Sequence, residues 1–472
     1  MELSVKPNDV SDAKTAIIPY SRRRIGDKFL VANVLGKWDF LDEQELRVFS
    51  SFKCSKGSPL FKRLYERGLI ADENNFESLL DNYRNLNNNL FQDTSLHIAV
   101  VTTRCNLSCK YCQTNKYPKQ DMTPKVASRV LHYLFSVKNK AVTLEFQGGE
   151  PLLNWETTRF LVENARKFNT NGKNLNITLV SNLTLLDSDK RKFLDDHGVT
   201  VCASFDGPKK IHDKNRIYSD NKGTYDALIK NIKLYEQGSS KKINLMPTIT
   251  RHSLAHGNEI VEEYLRLGKN YIALRPVNRL GNAGGCWKEI GYDAQEFIDF
   301  YKQTFDYILE LNKKGIFMVE RMASFILKKI IKGQDPGYVE LMSPCGAGRG
   351  QIVYMPDGSC YPCDESRMIA EDIFKLGNFM ETEYEDMMKQ ENLLHMLESS
   401  VVNIWEPDSV FSPWTGTCPV LNYSLQKNLV PKIHCLPMHK IYSFQFSYIF
   451  EKILESEENV KIFQEWVDKG GY

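Results

Sequence analysis

The sequence predicts an α/β protein with a parallel sheet and crossover helices, a small module before it and a cysteine-rich extension after it. Three observations carry that prediction. From Leu96 to Val277, short strand-like runs alternate with longer stretches of helical period, which is the pattern of βαβ units. The first of these runs leads directly into Arg104-Cys105-Asn106-Leu107-Ser108-Cys109-Lys110-Tyr111-Cys112-Gln113, a loop with C-x3-C-x2-C spacing. A second group of cysteines, Cys345, Cys360, Cys363, Cys418 and Cys435, lies in the last third of the chain.

Composition sets the bounds. A chain of 472 residues has room for two or three domains, and a hydrophobic share of 42% is ample for a packed core. Acids and bases nearly balance, leaving a formal net charge of +2, so no nucleic-acid footprint is implied. The cysteines are odd in number and grouped, which favours metal ligation in a reducing compartment over a disulfide framework. The N-terminus MELSVKPNDVSDAK lacks the apolar core of a signal peptide. No apolar run approaches the ~18 residues of a membrane span. The expectation is a soluble, cytoplasmic protein without nucleic-acid or membrane partners.

Taken in order, residues 1–19 read as a loose lead-in. Tyr20 to Leu41 alternates apolar and polar residues about Phe29, Val31 and Val34, with a turn at Gly36, as a small hairpin does. Asp42 and Glu45 have the spacing of a capping box, and Leu46, Phe49 and Phe52 follow at helical intervals. A second helix opens at Ser58-Pro59 and stops at Gly68. Residues 74–93 read as a helix and linker. A strand pair with two short helices suggests a winged-helix-like module.

The strand-like runs that follow are LHIAVVT, AVTLEF, NITLVSN, VTVCASF, KINLMPTIT and YIALRPV, with a helix opening at Thr123-Pro124 and another near Trp155. In barrels of parallel strands the chemistry sits at the C-terminal strand ends. The polar motifs fall there. Gln147-Gly148-Gly149-Glu150-Pro151 follows the second run; two glycines permit close backbone approach to a ligand, and Glu150 adds an acceptor. Ser181 and Asn182 end the third. Ser204-Phe205-Asp206-Gly207-Pro208 follows the fourth, with His212, Asp213 and Arg216 beyond it. Asp206 and His212 read as turn-forming and packing residues. Cys54, Cys202 and Cys286 stand alone and read as small hydrophobes. Residues 292–314 read as a long amphipathic helix.

Three thiolates on one loop, Cys105, Cys109 and Cys112, can hold three corners of a cubic iron–sulfur cluster. A complete shell has four ligands, so one iron stays open for chemistry. The alternative is a zinc knuckle short of one ligand, but zinc motifs usually pair C-x2-C with a second such pair, and none lies near. In the tail, Cys345, Gly358 and Cys363 fit C-x12-G-x4-C, with Cys360 between, and a hairpin at Pro356-Asp357-Gly358 would bring the cysteines together.

From about Ser95 onward these motifs resemble the radical S-adenosylmethionine (radical SAM) enzymes. The resemblance implies a partial (β/α)6 TIM-like barrel holding a [4Fe-4S] cluster. Its open iron binds the methionine moiety of S-adenosylmethionine (SAM), and reduction releases a 5′-deoxyadenosyl radical that abstracts a substrate hydrogen. It further implies cofactor contacts from Tyr111, Gln147, Gly148, Gly149, Glu150, Ser181, Asn182 and Ser204, with Arg216 paired to the methionine carboxylate. The tail resembles the SPASM/twitch extension but lacks its C-x2-C-x5-C-x3-C block. That implies one auxiliary [4Fe-4S] cluster on Cys345, Cys363, Cys418 and Cys435, with Cys360 as a substitute ligand and a zinc site as the alternative. Asp364 stands where sulfatase-maturing relatives carry a proton-accepting aspartate.

The N-terminal module is similar to peptide-clasping domains of the PqqD type, in which a leader peptide adds a strand to a sheet edge. A structural cap on the barrel is the equal alternative. Arg22, Arg23 and Arg24 would attract an acidic leader or simply form a solvated face. The phrases FQGGEPLLNW and GTCPVLNY narrow the resemblance to maturases of the His-Xaa-Ser system. The implied organisation is a clasp-like module with linker at 1–94, the barrel at 95–314, and a bridging helix with the auxiliary-cluster domain at 315–472. The implied partners are a ribosomally made peptide with His-x-Ser triplets, an electron donor such as flavodoxin or ferredoxin, and a partner maturase. An anaerobic sulfatase maturase making formylglycine from Cys or Ser is the second enzyme reading, opposed by the shortened cysteine set. A non-catalytic peptide scaffold is opposed by the intact cysteine loop, the GGEP motif and Arg216.

Overall fold

The computed structural model describes residues 15–114, 117–239, 241–369, 371–402, 409–430 and 436–469. Near the N-terminus, β1 (Ala16–Ile17), β2 (Tyr20–Ile25), β3 (Lys28–Asn33), β4 (Trp38–Leu41) and β5 (Ile70–Ala71) make two small sheets. β2, β3 and β4 form an antiparallel three-stranded meander, and β1 pairs with β5. The expected hairpin is thus one strand short of what forms. Gly26 at φ +59° and Gly36 at φ +72° supply two turns, not one. Val34 is not an inward residue but sits beside the second turn, 55% exposed. Helices Glu43–Ser50, Pro59–Glu66 and Phe76–Leu86 complete the module. The capping box forms: Glu45 N donates to Asp42 Oδ1 at 2.8 Å and Asp42 N to Glu45 Oε2 at 3.1 Å. Phe52 falls beyond that helix at φ +53° and is solvent-exposed. Val31, Leu41, Leu46, Phe49, Leu64, Leu69 and Ile70 make a small core of their own.

The central sheet has eight strands. β6 (Leu96–Thr102), β7 (Ala141–Gly148), β8 (Asn174–Ser181), β9 (Thr200–Ser204) and β10 (Asn244–Met246) run parallel in sequence order. Helices Pro124–Ser136, Trp155–Phe168, Ser188–Asp196 and Tyr225–Gln237 are the crossovers. The expected sixth strand departs from the pattern. β11 (Tyr271–Ile272) pairs with β12 (Val319–Glu320), and this stretch meets the β10 side through one parallel bridge, Ile249 to Pro276, and through Arg275 Nη1 on Met246 Sδ at 3.3 Å. Pro276 has no N–H with which to extend a ladder.

The opposite flank continues into the tail. β13 (Gln351–Tyr354) lies parallel to β6, with Gln351 opposite Leu96 and Tyr354 opposite Ala99, followed by β14 (Ser359–Tyr361) and β15 (Gly377–Asn378). The β13–β14 hairpin is the one read from Pro356-Asp357-Gly358, with Gly358 at φ +88°. The long helix runs Ala294–Lys313. Helices Pro437–Glu455 and Glu457–Lys469 pack on it, with the rings of Tyr448, Phe463 and Trp466 gathered about Phe305. The N-terminal module docks through Trp38, whose ring meets Phe450 edge-on and whose Nε1 donates to Ile330 O at 2.7 Å.

Candidate active site

The cysteine loop leaves the end of β6 and is pinned on two sides. Ser108 N donates to Ile217 O at 2.7 Å and Lys110 N to Asn215 O at 2.9 Å, so the loop lies against the segment that carries Arg216. Asn282 N donates to Cys112 O at 3.0 Å from the segment beyond β11. Cys105 is exposed, while Cys109 and Cys112 are partly covered. Cys112 raises both Cys105 and Cys109, and Cys105 raises Cys109 as well. Burial is the larger cause and pushes Cys105 up to about 11 and Cys109 up to about 12, with Arg216 opposing at Cys109. Among the described residues no three His, Cys, Asp or Glu side chains already stand in a ligating array.

The Gly-Gly pair has a specific cause. A Cβ on Gly148 would stand 2.2 Å from Thr102 O, and one on Gly149 would stand 2.1 Å from Arg104 O. That close approach lets Gly149 N donate to Thr102 O at 2.9 Å and Glu150 N to Arg104 O at 2.8 Å, locking the end of β7 to the base of the cysteine loop. Glu150 is buried and accepts from Ser181 Oγ at 2.7 Å, Asn182 N at 2.8 Å and Leu152 N at 3.0 Å. Burial raises its carboxyl and these donors oppose that. Asn182 Nδ2 also reaches Asn106 Oδ1 at 3.0 Å. Residues from β7, β8 and the cysteine loop thus form one polar knot.

A second knot holds Arg216. Asp206, fully buried, accepts from Tyr111 Oη at 2.9 Å, Asn215 Nδ2 at 3.2 Å and Thr248 N at 3.0 Å. Arg216 Nε lies 3.2 Å from Asp206 Oδ2, near enough to pair electrostatically but not aligned for a hydrogen bond. Its guanidinium sits over the Tyr111 ring at 4.9 Å. The result is a guanidinium 8% exposed with a donor left without an acceptor, beside the cysteine loop. His212 is buried, shares a 3.1 Å hydrogen bond with Thr224 Oγ1, and is pushed down to about 4 by burial. Asp206 is more than a turn residue: it anchors both Tyr111 and Arg216. Ser204 ends β9, half-buried at the same edge.

Gln147 connects this region to the tail. Its Nε2 donates to Glu145 Oε1 at 2.8 Å, and Arg367 Nη2 donates to its Oε1 at 2.9 Å. Arg367 is buried and also pairs with Asp364 Oδ1, at 2.8 Å from Nε and 2.7 Å from Nη2. Asp364 is therefore one arginine away from the QGGEP motif. The sequence offered no local signal for Thr248 on Asp206 or for Arg367 on Gln147, since these partners are remote in the chain.

Cys345, Cys363 and Cys418 are also gathered. Burial pushes all three thiols up; Cys345 and Cys418 raise Cys363 further, and Cys345 raises Cys418. Gly348 N donates to Pro362 O at 2.8 Å, joining the Cys345 and Cys363 segments. Cys360 is fully buried beside Tyr133 and Tyr354. Cys435 lies outside the described residues.

The parallel sheet, the cysteine loop and the glycine lock define a class of protein. Residues 99–268 match the model of the Radical SAM superfamily. Within it, the chain is similar to the cysteine-type anaerobic sulfatase-maturating enzyme of Clostridium perfringens (strain 13 / Type A). The two are 26% identical over 383 residues, which span 78% of this chain and 99% of that one. Its fold is similar to that of native anSMEcpe with bound AdoMet and Kp18Cys peptide, at a TM-score of 0.68 and 22% identity, covering 79% of this chain and 99% of that one. It is similar also to Streptococcus suis SuiB bound to precursor peptide SuiA, at a TM-score of 0.54 and 14% identity, covering 88% and 98%. The chain thus has a radical SAM fold and is similar to a sulfatase-maturating enzyme, and the superfamily whose model it matches uses a [4Fe-4S] cluster with SAM. The three thiols, the backbone lock at Gly148-Gly149 and the buried Arg216, whose Nε makes no aligned hydrogen bond, fit those groups. Among the described residues no helix is long and apolar enough to cross a membrane.

Proposed function

We propose that the protein modifies a ribosomally made peptide by hydrogen abstraction, and that the bound cluster and SAM supply the 5′-deoxyadenosyl radical. Cys105, Cys109 and Cys112 would hold the cluster. Arg216 would take the methionine carboxylate as a charge-assisted pair, and Ser181, Asn182, Ser204, Tyr111 and the Gln147–Glu150 motif would shape the rest of the SAM site. Cys345, Cys363 and Cys418, with Cys435, would hold one auxiliary cluster. Asp364, kept in place by Arg367, would accept a proton from the substrate. The N-terminal module of residues 1–94 would clasp the peptide, and an external reductase would supply the electron.

One observation carries this reading: the Gln147–Arg367–Asp364 chain joins the radical loop's supporting motif to the helix that follows Cys363. That link between the supports of the two cysteine groups favours a substrate held between them. The substrate favoured here is a peptide with His-x-Ser triplets. A sulfatase-type Cys or Ser substrate is the second reading, favoured by the Clostridium perfringens relative. Both are tested by incubating the reduced, reconstituted protein with SAM and each peptide, then reading product masses and sites by fragmentation. A modified His-x-Ser peptide and an unchanged sulfatase peptide are expected. Formylglycine in the sulfatase peptide alone would reverse the preference, and two unchanged peptides with SAM consumed would remove both.

A further inference from the structure

A lysine is buried against the chain segments that lead into two of the tail cysteines, and nothing in the reaction scheme uses it. Lys329 lies in a π-helical turn, Lys328–Lys332, and is 2% exposed. An ammonium has three N–H donors, and this one meets three acceptors. Nζ donates to Leu341 O at 2.5 Å and to Trp414 O at 2.9 Å, and lies 2.8 Å from Asp335 Oδ2, itself buried. The two carbonyls have a common relation to the tail site. Leu341 stands four residues before Cys345, and Trp414 four residues before Cys418.

Ser400 repeats the tie one step nearer the thiols. Cys345 N donates to Ser400 Oγ at 2.9 Å, and Thr417 N to Ser400 O at 3.1 Å. Gly416 shows how close the strands of chain run, since a Cβ there would stand 2.9 Å from Ser400 O and 3.5 Å from Met342 O. Without the lysine, the two carbonyls would converge with no donor between them, and Asp335 would keep only Gly337 N, which donates to its Oδ1 at 2.7 Å. Desolvating an ammonium is expensive, and a buried ion pair is weak evidence for stability as such. Its use must lie in the geometry it imposes.

We infer that Lys329 is a positioning residue for the auxiliary metal site: by gripping Leu341 O and Trp414 O it holds the Cys345 and Cys418 segments side by side. The inference rests on the proposed auxiliary site. Lys329 touches no ligand atom; it acts through the backbone four residues ahead of each thiol.

The test uses the full chain with Cys105, Cys109 and Cys112 replaced by Ala, so that only tail metal is counted. Into it go Lys329→Met with Asp335→Leu, which removes the buried charges as a pair, and separately Asp335→Asn, which keeps an acceptor and the lysine. Each protein is loaded with Fe2+ and sulfide, and in parallel with Zn2+, and metal content, affinity and thermal unfolding are measured. The Lys329→Met/Asp335→Leu protein is expected to fold and to lose metal affinity by about 10–100-fold, as for other partners that orient ligands. Asp335→Asn is expected to keep its metal. Should the apolar pair fail to fold, Lys329→Met/Asp335→Asn replaces it with the same expectation. Unchanged metal affinity in the folded lysine variant overturns the inference, as does an equal loss in Asp335→Asn, because the ion pair and not the clamp would then matter. A parent that holds no metal at all overturns the auxiliary site itself, and is distinguished by the parent's own metal content.

Discussion

Gly149 faces Arg104 O at a distance no side chain can share, and the obstacle is backbone, which cannot swing aside. Gly149→Ala must therefore push the cysteine loop off β7. The expected penalty is about 1–3 kcal/mol, the usual range for overpacking, with SAM cleavage reduced at least about tenfold. Urea unfolding and 5′-deoxyadenosine formation check it, and wild-type values in both would contradict the lock. Arg216 makes a different prediction. Arg216→Lys keeps a cation beside Asp206 but loses the planar fork. SAM binding should weaken by about 1.5–3 kcal/mol with the cluster retained, as read by calorimetry and iron content; unaltered affinity would place the carboxylate elsewhere. The residue types at these two positions were legible in the sequence, because GGEP and the arginine stand at strand ends. Their partners were not. Thr102, Arg104 and Asp206 meet them across gaps that local patterning does not bridge, and Asp206 read as a turn-forming and packing residue.

β6 shows how an element's environment decides the ionisation of one side chain. It lies between β7 and β13, and His97 is enclosed there, with Nδ1 2.7 Å from Tyr354 Oη and Nε2 3.2 Å from Thr94 O. Burial pushes His97 down to about 3. The unfolded chain takes up this proton near pH 6.5 while the folded one refuses it. Stability should be full above that pH and fall by about 1.4 kcal/mol per unit as the pH drops towards 3. His97→Gln should unfold in urea with an acid limb shallower by one proton between pH 6 and 4.5; identical slopes would show that His97 is protonated in the fold. The neighbour of β6 was itself unforeseen. Strands β6 to β10 were legible from runs such as LHIAVVT and AVTLEF, each followed by helical period. That β13 would extend the barrel sheet was not legible, since the pairing of Gln351 with Leu96 leaves no mark on either local pattern. The sixth strand was over-read for the opposite reason: YIALRPV has strand composition, but a strand forms at Tyr271–Ile272 alone, and the rest meets Ile249 in a single bridge.

At the scale of the whole molecule, the tail and the N-terminal module close over the sheet, Trp38 on Ile330 and Phe450, and Arg367 on Gln147. The two cysteine groups consequently belong to one body, and their metal contents are separable. The loaded wild-type protein should hold about eight irons, as two four-iron clusters. The Cys105/Cys109/Cys112→Ala protein should keep about half. One zinc with almost no iron would make the tail a zinc site, and about eight retained irons would mean two auxiliary clusters. The central claim rests on the radical site and is reached more directly. The protein is reconstituted anaerobically with iron and sulfide, reduced, and given SAM, and 5′-deoxyadenosine is quantified for the wild type and for the triple alanine variant. Steady formation by the wild type and none by the variant is the predicted result. Equal formation by both would show that the Cys105–Cys112 loop is not where SAM is cleaved.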